Sequence, residues 1–455
     1  MLALEGLTQV NADGRVVPRI AERWQWEHGG LVLRVFVRPR VKFHNGTPLT
    51  AAVAAEVLER VISRPSNRAL YPSVSDITEV HAEGELQLVI RLSQPSTFLL
   101  EDLSVPLQLG DSVGTGPYRV TKRQGSEITL ERFNEYYLGK PSIDRVVLRP
   151  FDALRTTWSS LLRGEVDSVT DIPPESVEFI RNEEIQTISF PRWYQFVLAF
   201  NFDNLSLSPR VRRALNLAVD RQALTKSALK GYGTPSTGPL WPRHWAYDNT
   251  VQPFSFDPAA AVALFDAAGL SKGSAKSVAG GLPGARLRFT CLVPSTFSVL
   301  ERLGLELQRQ LYEVGIDMQF EAVSLDEYLA RLSAGKFEAV LVDMISGPSL
   351  VRPYIFWRSK KAYKGLNVFG YENAEAERQF QTVRTATSEA AIRSATSRLE
   401  RLFLDDPPAV FLAWSERARV VRREFRVVQE PGRDPISTLW RWTPSSTPVQ
   451  TASLR

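Results

Sequence analysis

The sequence predicts an α/β protein built from more than one lobe, and three observations carry that expectation. At 455 residues the chain is too long for one compact core, and its length suggests roughly three domains, or two with insertions. After residue 284 strand and helix patterns alternate, as they do in a layered α/β lobe. Residues 196–224 read as an apolar strand, a loop and an amphipathic helix.

Strand signals dominate as far as Leu148, punctuated by turn chemistry at Asn11-Ala12-Asp13-Gly14, His44-Asn45-Gly46 and Ala82-Glu83-Gly84. Helical periodicity marks residues 50–61, with Thr50 as N-cap. A helix is expected over 151–165, where Leu154, Trp158, Leu161 and Leu162 share a face and Gly164 ends the run. Val197, Leu198, Ala199 and Phe200 form a continuous apolar run, which suits a strand covered on both faces. Ser208-Pro209 then supplies an N-cap and a first-turn proline. Val211, Ala214, Leu215, Ala218 and Val219 follow at helical spacing, in a helix expected to finish in Asp220-Arg221. Residues 271–284, SKGSAKSVAGGLPG, read as a flexible loop, because Gly, Ser and Ala there cannot build a buried face. Beyond it come a strand (287–293), a helix (299–314), a strand (316–322), a helix (325–333) and a strand (339–343), with no internal repeat.

Composition narrows the function classes. Apolar content of 44% and charged content of 23% are ordinary for a globular chain. Lys plus Arg exceed Asp plus Glu by only five, the charges are interleaved, and no basic stripe carries stacking aromatics, so no nucleic-acid partner is expected. Cys291, the single cysteine, reads as a buried structural thiol. Histidines 28, 44, 81 and 244 are far apart and lack metal-ligand spacing, so neither a metal nor a cofactor is expected. No window approaches the ~18 apolar residues of a membrane span. Gly269-Leu270-Ser271-Lys272-Gly273 fits G-x-S-x-G on paper, but a helical run precedes it and a loose loop follows, the reverse of a nucleophile elbow. Asp405-Asp406 lead into Pro407-Pro408 and read as a structural turn rather than a catalytic pair. No enzyme is expected.

A set of motifs in a fixed order adds a resemblance. LEGLTQVNADGRVVPRIAERWQW is followed by LRVFVRPRVKFHNGTPLTA, then VGTGPYRV, then Asn134-Glu135-Tyr136-Tyr137. FVLAFNFDNLSLSPRVRRALNLAVDRQAL, SFDPAAAVALFDAAGL, LELQRQLYEVGIDMQF, GKFEAVLVD and RLERLFLDDPPAVFLAW complete the series. Together they resemble the extracellular solute-binding proteins of family 5, the peptide- and nickel-type receptors of ABC importers. The resemblance implies a periplasmic-binding-protein-like fold of two α/β lobes with a small inserted domain and crossover segments, ligand between the lobes. The division it implies is 1–20, 142–252 and 419–455 for lobe I, 21–141 for the inserted domain, and 253–418 for lobe II. It further implies a monomeric receptor outside the cytoplasmic membrane that hands a peptide or similar small solute to permease subunits. The opening MLALEGLTQV has no export signal, and the family has a first strand before the element matched by Leu4-Glu5-Gly6-Leu7. A start placed too late is therefore expected, with a cytoplasmic ligand-sensing module as the alternative.

A binding cleft needs apolar area and a few fixed polar groups. Trp193-Tyr194 immediately before the strand, Trp241 and Trp245 in GPLWPRHWAY, and Trp357 after the 346–353 segment are aromatic residues beside loops. Peptide-binding members of the family carry a Trp- and Asp-rich loop after the strand matched by 339–343. Here that stretch, DMISGPSLVRPY, keeps only Asp343 as an acid and offers Arg352, whose planar fork suits a carboxylate or phosphate. Trp193, Tyr194, Asp343, Met344, Arg352, Trp357 and Trp414 are the candidate ligand contacts.

Overall fold

The computed structural model describes residues 2–64, 70–110, 112–172, 176, 183–276, 281–360 and 366–445. Its contacts form two compact units, unit 1 of Met1–Arg192 with Glu416–Arg455, and unit 2 of Trp193–Ser415. Residues 277–280 of the expected 271–284 loop lie outside the described residues.

Unit 1 begins with a hairpin of β1 (Thr8–Val10) and β2 (Val16–Pro18). A four-stranded antiparallel sheet follows in the order β3-β4-β6-β5, from β3 (Ala21–Glu27), β4 (Val32–Val37), β5 (Ile77–Ala82) and β6 (Gln87–Leu92). Helix α1 (Ala51–Ile62) starts where expected, with Thr50 Oγ1 accepting from Val53 N at 3.3 Å. It sets Ala54 and Leu58 into a core with Leu33, Val35, Leu88 and Ile90. After the short α2 (Leu99–Asp102), β7 (Tyr118–Gln124), β8 (Glu127–Arg132) and β9 (Arg145–Leu148) make a three-stranded sheet. Glu5 of the LEGL element is buried and accepts from Arg19 Nε at 2.7 Å and Tyr136 Oη at 2.8 Å. Motifs more than a hundred residues apart thus meet because a buried carboxylate requires partners. Helix α3 (Leu154–Leu162) is shorter than the expected 151–165 and leads to β10 (Ser168–Ile172).

Two long strands change unit within their length. β11 (Ile185–Phe200) carries the chain into unit 2, and β16 (Ala409–Arg422) carries it back.

Within unit 2 the sheet order is β16-β11-β15-β13-β14, from β13 (Leu287–Pro294), β14 (Ile316–Val323) and β15 (Ala339–Ile345), with β12 (Gly233–Pro235) on β16. β13 runs parallel to β14 and β15, while β15 is antiparallel to β11. The connecting helices are α4 (Pro209–Leu217), α5 (Arg221–Ala228), α6 (Pro258–Ala267), α7 (Ser298–Glu313) and α8 (Leu325–Ser333), followed by α9 (Val351–Trp357), α10 (Ala374–Thr385) and α11 (Glu389–Asp405). Alternation along β11 sends Phe196, Leu198 and Phe200 into one core with Val211, Leu215, Phe265, Phe289, Leu307 and Leu341. Each such side chain contributes about 1.5–3 kcal/mol of apolar burial. Cys291 lies in the same core, where burial pushes its thiol up to about 12. After the return through β16, the pair β17 (Phe425–Arg426) and β18 (Thr443–Pro444) closes unit 1.

Three further local expectations differ from the structure. Asp220-Arg221 opens a helix instead of ending one: α4 stops at Leu217, and the Asp220 carboxylate caps α5 by accepting from Gln222 N and Ala223 N. Trp193 and Tyr194 lie inside β11, not before it. Residues 193–252, placed with lobe I in the sequence reading, group with unit 2, where Leu198, Val211 and Leu224 share a core with Phe289 and Leu303.

Candidate functional site

The candidate residues gather on unit 2, most of them at the end of the sheet where β11 enters. Pairing of β11 with β15 sets Tyr194 opposite Ile345, Gln195 opposite Met344 and Phe196 opposite Asp343. The ladder continues one step further, with Ser346 N donating to Trp193 O at 2.9 Å. At Gly347 the backbone turns with φ of 71°, a conformation that favours glycine, and an added Cβ would lie 2.6 Å from Trp193 Cβ. The missing side chain is therefore what lets the indole pack on this turn. Gln195, fully buried, donates from Nε2 to Ser236 Oγ at 2.6 Å and Gly238 O at 2.8 Å, tying the 236–239 turn to the strand.

Buried polar atoms are almost always hydrogen-bonded, so exceptions are informative. Buried atoms without partners occur in both units among the described residues, and Gln195 Oε1, Trp414 Nε1 and Ser415 Oγ are three of them. All three belong to the stretches of β11 and β16 beside the change of unit. Gln195 and Ser415 were missed in the sequence reading. A lone glutamine inside the apolar run WYQFVLAF was the available signal.

The remaining candidates divide by burial. Arg352 is half-buried on α9 and has no hydrogen-bond or ion-pair partner among the described residues. Asp343 is half-buried on β15, whereas its neighbour Met344 is buried, as alternation requires. Trp357 is 1% exposed, stacked on Phe369 at 5.4 Å and edge-on to Phe411 at 5.4 Å, which makes it part of an aromatic packing layer. Trp414 is buried edge-on against Trp241 at 4.7 Å and pairs with Thr234 of β12. Asp406, of the Asp405-Asp406 pair, caps the end of α11 and meets Arg212 Nη2 at 2.6 Å, so its role is structural. Among the described residues no group of His, Cys, Asp or Glu side chains is placed to hold a metal ion, and no helix is long and apolar enough to cross a membrane.

Residues 15–364 match the family described as Bacterial extracellular solute-binding proteins, family 5 Middle. The chain belongs to family 5 of these solute-binding proteins. Among curated relatives, the glutathione-binding protein GsiB of Pectobacterium atrosepticum is 29% identical over 354 residues, covering 72% of this chain and 65% of the relative. The match thus spans just under two thirds of that protein. Among solved structures, NikA of Brucella suis in complex with Fe(III)-EDTA superposes with a TM-score of 0.85 at 21% identity, over 98% of this chain and 94% of that one. The oligopeptide-binding protein AppA of Bacillus subtilis, in complex with a nonapeptide, gives 0.81 at 18% identity, over 98% and 93%. At these identities the superpositions show the fold alone, which is the periplasmic-binding-protein-like α/β fold of family 5.

Proposed function

We propose that the protein is the solute-capturing receptor of an ABC importer, taking a peptide or peptide-like solute and delivering it to the permease. It would act as a monomer on the outer side of the cytoplasmic membrane. The observation that carries this reading is the family match across residues 15–364, together with 29% identity to a glutathione-binding relative. An extracellular family does not favour the cytoplasmic sensing alternative. The geometry supplies suitable contacts. Arg352 is a half-buried guanidinium without a carboxylate of its own, and a planar fork of donors fits the carboxylate of a peptide-like solute. Trp193 and Tyr194 add half-buried aromatic area in the same unit, and Gln195, Asp343 and Ser415 add polar groups. Trp357, packed on Phe369 and Phe411, supports α9.

A thermal-shift screen against glutathione, short peptides, metal chelates and oligosaccharides tests the proposal. A solute at about 100 times its Kd stabilises the fold by about 2.7 kcal/mol. Stabilisation by a peptide-type solute is the expected result. A protein that melts cooperatively and responds to none of these classes would overturn it.

A further inference from the structure

A cavity of about 500 Å³ opens in unit 2 among the 235–256 segment, the start of α5 and the C-terminal part of α11. That volume suits a small ligand. Its walls are aromatic and apolar, with Tyr247, Phe254, Phe256, Phe403 and Trp414 joined by leucines and prolines. Four titratable side chains line it: Asp220, Arg221, Tyr247 and Glu400.

Two of the charged groups are already occupied. Arg221 Nε donates to Ser236 O at 2.8 Å and Phe411 O at 2.7 Å, Nη1 to Asn216 O at 3.0 Å, and Nη2 to Asn216 Oδ1 at 2.7 Å. Asp220 caps α5. Glu400 is different. Its carboxyl accepts only the Asp248 N–H, at 3.2 Å, and has no cation within ion-pair distance among the described residues. The adjacent Arg401 turns to Asp248 at 3.0 Å, and Asp248 also takes the hydroxyls of Ser397 and Thr250.

The geometry points to a second ligand site: this cavity binds a small organic cation, an ammonium group on a compact apolar or aromatic body, with Glu400 as its counter-ion and the aromatic walls around its head. Ammonium groups favour aromatic faces, and a partly buried carboxylate without a cation is the complementary charge. The protonation state fits. Burial pushes the Glu400 carboxyl up to about 8, with Asp248 adding repulsion that its own N–H and Arg401 oppose. Without a cation the carboxyl therefore holds a proton at neutral pH, and an arriving cation displaces that proton to solvent. The cavity wall at Ser236, Gly238 and Trp414 adjoins Gln195 and Ser415 of the proposed solute site, whereas Glu400 and Phe254 are not among the solute contacts and Asp343 and Arg352 do not line the cavity.

The test uses benzyltrimethylammonium, whose charge does not titrate, in calorimetric titrations of the full chain. Binding is expected near about pH 9 and roughly a hundredfold weaker near about pH 6, because the proton competes below the Glu400 pKa. Glu400→Gln, nearly isosteric with the neutral acid, should bind weakly at both pH values. Phe254→Ala, at the half-buried rim, should weaken binding while keeping the pH dependence, which covers the case of a Glu400→Gln chain that fails to fold. No binding near about pH 9 by a cooperatively melting protein, or affinity that ignores both pH and Glu400→Gln, would overturn the proposal. The solute screen is read independently, so either proposal can fail alone.

Discussion

Replacing Gly347 by alanine tests whether the turn after β15 is shaped by the Trp193 indole. Two costs add. A non-glycine residue at φ of 71° carries left-handed strain of about 1–2 kcal/mol. The new Cβ would also sit 2.6 Å from Trp193 Cβ and 2.8 Å from Cγ, so the indole or the turn must move, an overpacking cost of about 1–3 kcal/mol. Together they predict a loss of about 3 kcal/mol. Gly273 is the internal control, with φ of 85° and no atom within 4 Å of an added Cβ, so alanine there should cost only about 1 kcal/mol. Urea unfolding of both variants, compared through midpoint shifts at constant slope, separates strain from contact, since both residues belong to unit 2. A displaced Trp193 should also weaken solute binding in the Gly347 variant alone. Equal destabilisation by the two substitutions would refute the packing argument.

Arg352→Ala should weaken a carboxylate-bearing solute at least tenfold, in line with the roughly 1.5–3 kcal/mol of a charge-assisted hydrogen bond. A change below about twofold in calorimetric titration removes Arg352 from the site. Arg358→Met should destabilise the fold by about 3–5 kcal/mol, because it strands the Glu377 carboxylate that Arg358 Nε meets at 2.9 Å. Adding Glu377→Gln should recover much of that loss in thermal melts. Glu400→Gln should stabilise the protein in a pH-dependent way. The folded carboxyl titrates near 8 while the unfolded one titrates near about 4.3, so the folded state holds the extra proton between them and stability falls as pH rises across that window. With allowance for partial solvent exposure, the variant's advantage should grow from near zero at about pH 4 to on the order of 3 kcal/mol at about pH 8, as read by urea midpoints.

Much of unit 2 was legible because its signals are local. The strand and helix alternation over 287–343 matches β13, α7, β14, α8 and β15 to within one or two residues, since glycines at 315 and 335 and a serine cap at 324 mark the ends. The break at Asp220 was not legible. Val211, Ala214, Leu215, Ala218, Val219 and Leu224 keep an apolar pattern through it, and only a side chain folding back onto Gln222 N and Ala223 N reveals the cap. The site was half-legible for a related reason. Sequence marks Trp193, Tyr194 and Arg352 by type and position, but exposure depends on packing. Trp357 looks like Trp193 in sequence and ends between Phe369 and Phe411, because Tyr354 and Ile355 bury the same helix with it.

Unit 2 carries unbalanced groups of opposite sign, among them a guanidinium at Arg352 without a carboxylate and a carboxyl at Glu400 without a cation among the described residues. The chain's net charge of +5 conceals both, because a sum over 105 ionisable Lys, Arg, Asp and Glu residues does not register which of them are paired. Their energetic consequences differ. Arginine stays charged under all physiological conditions, so a site built on Arg352 selects anions with little dependence on pH. A carboxyl that titrates near neutrality selects cations only as the proton leaves, so a site built on Glu400 becomes more receptive as pH rises. Paired anionic and cationic probes at two pH values therefore separate the two sites without mutagenesis: the anion's affinity should hold constant where the cation's climbs.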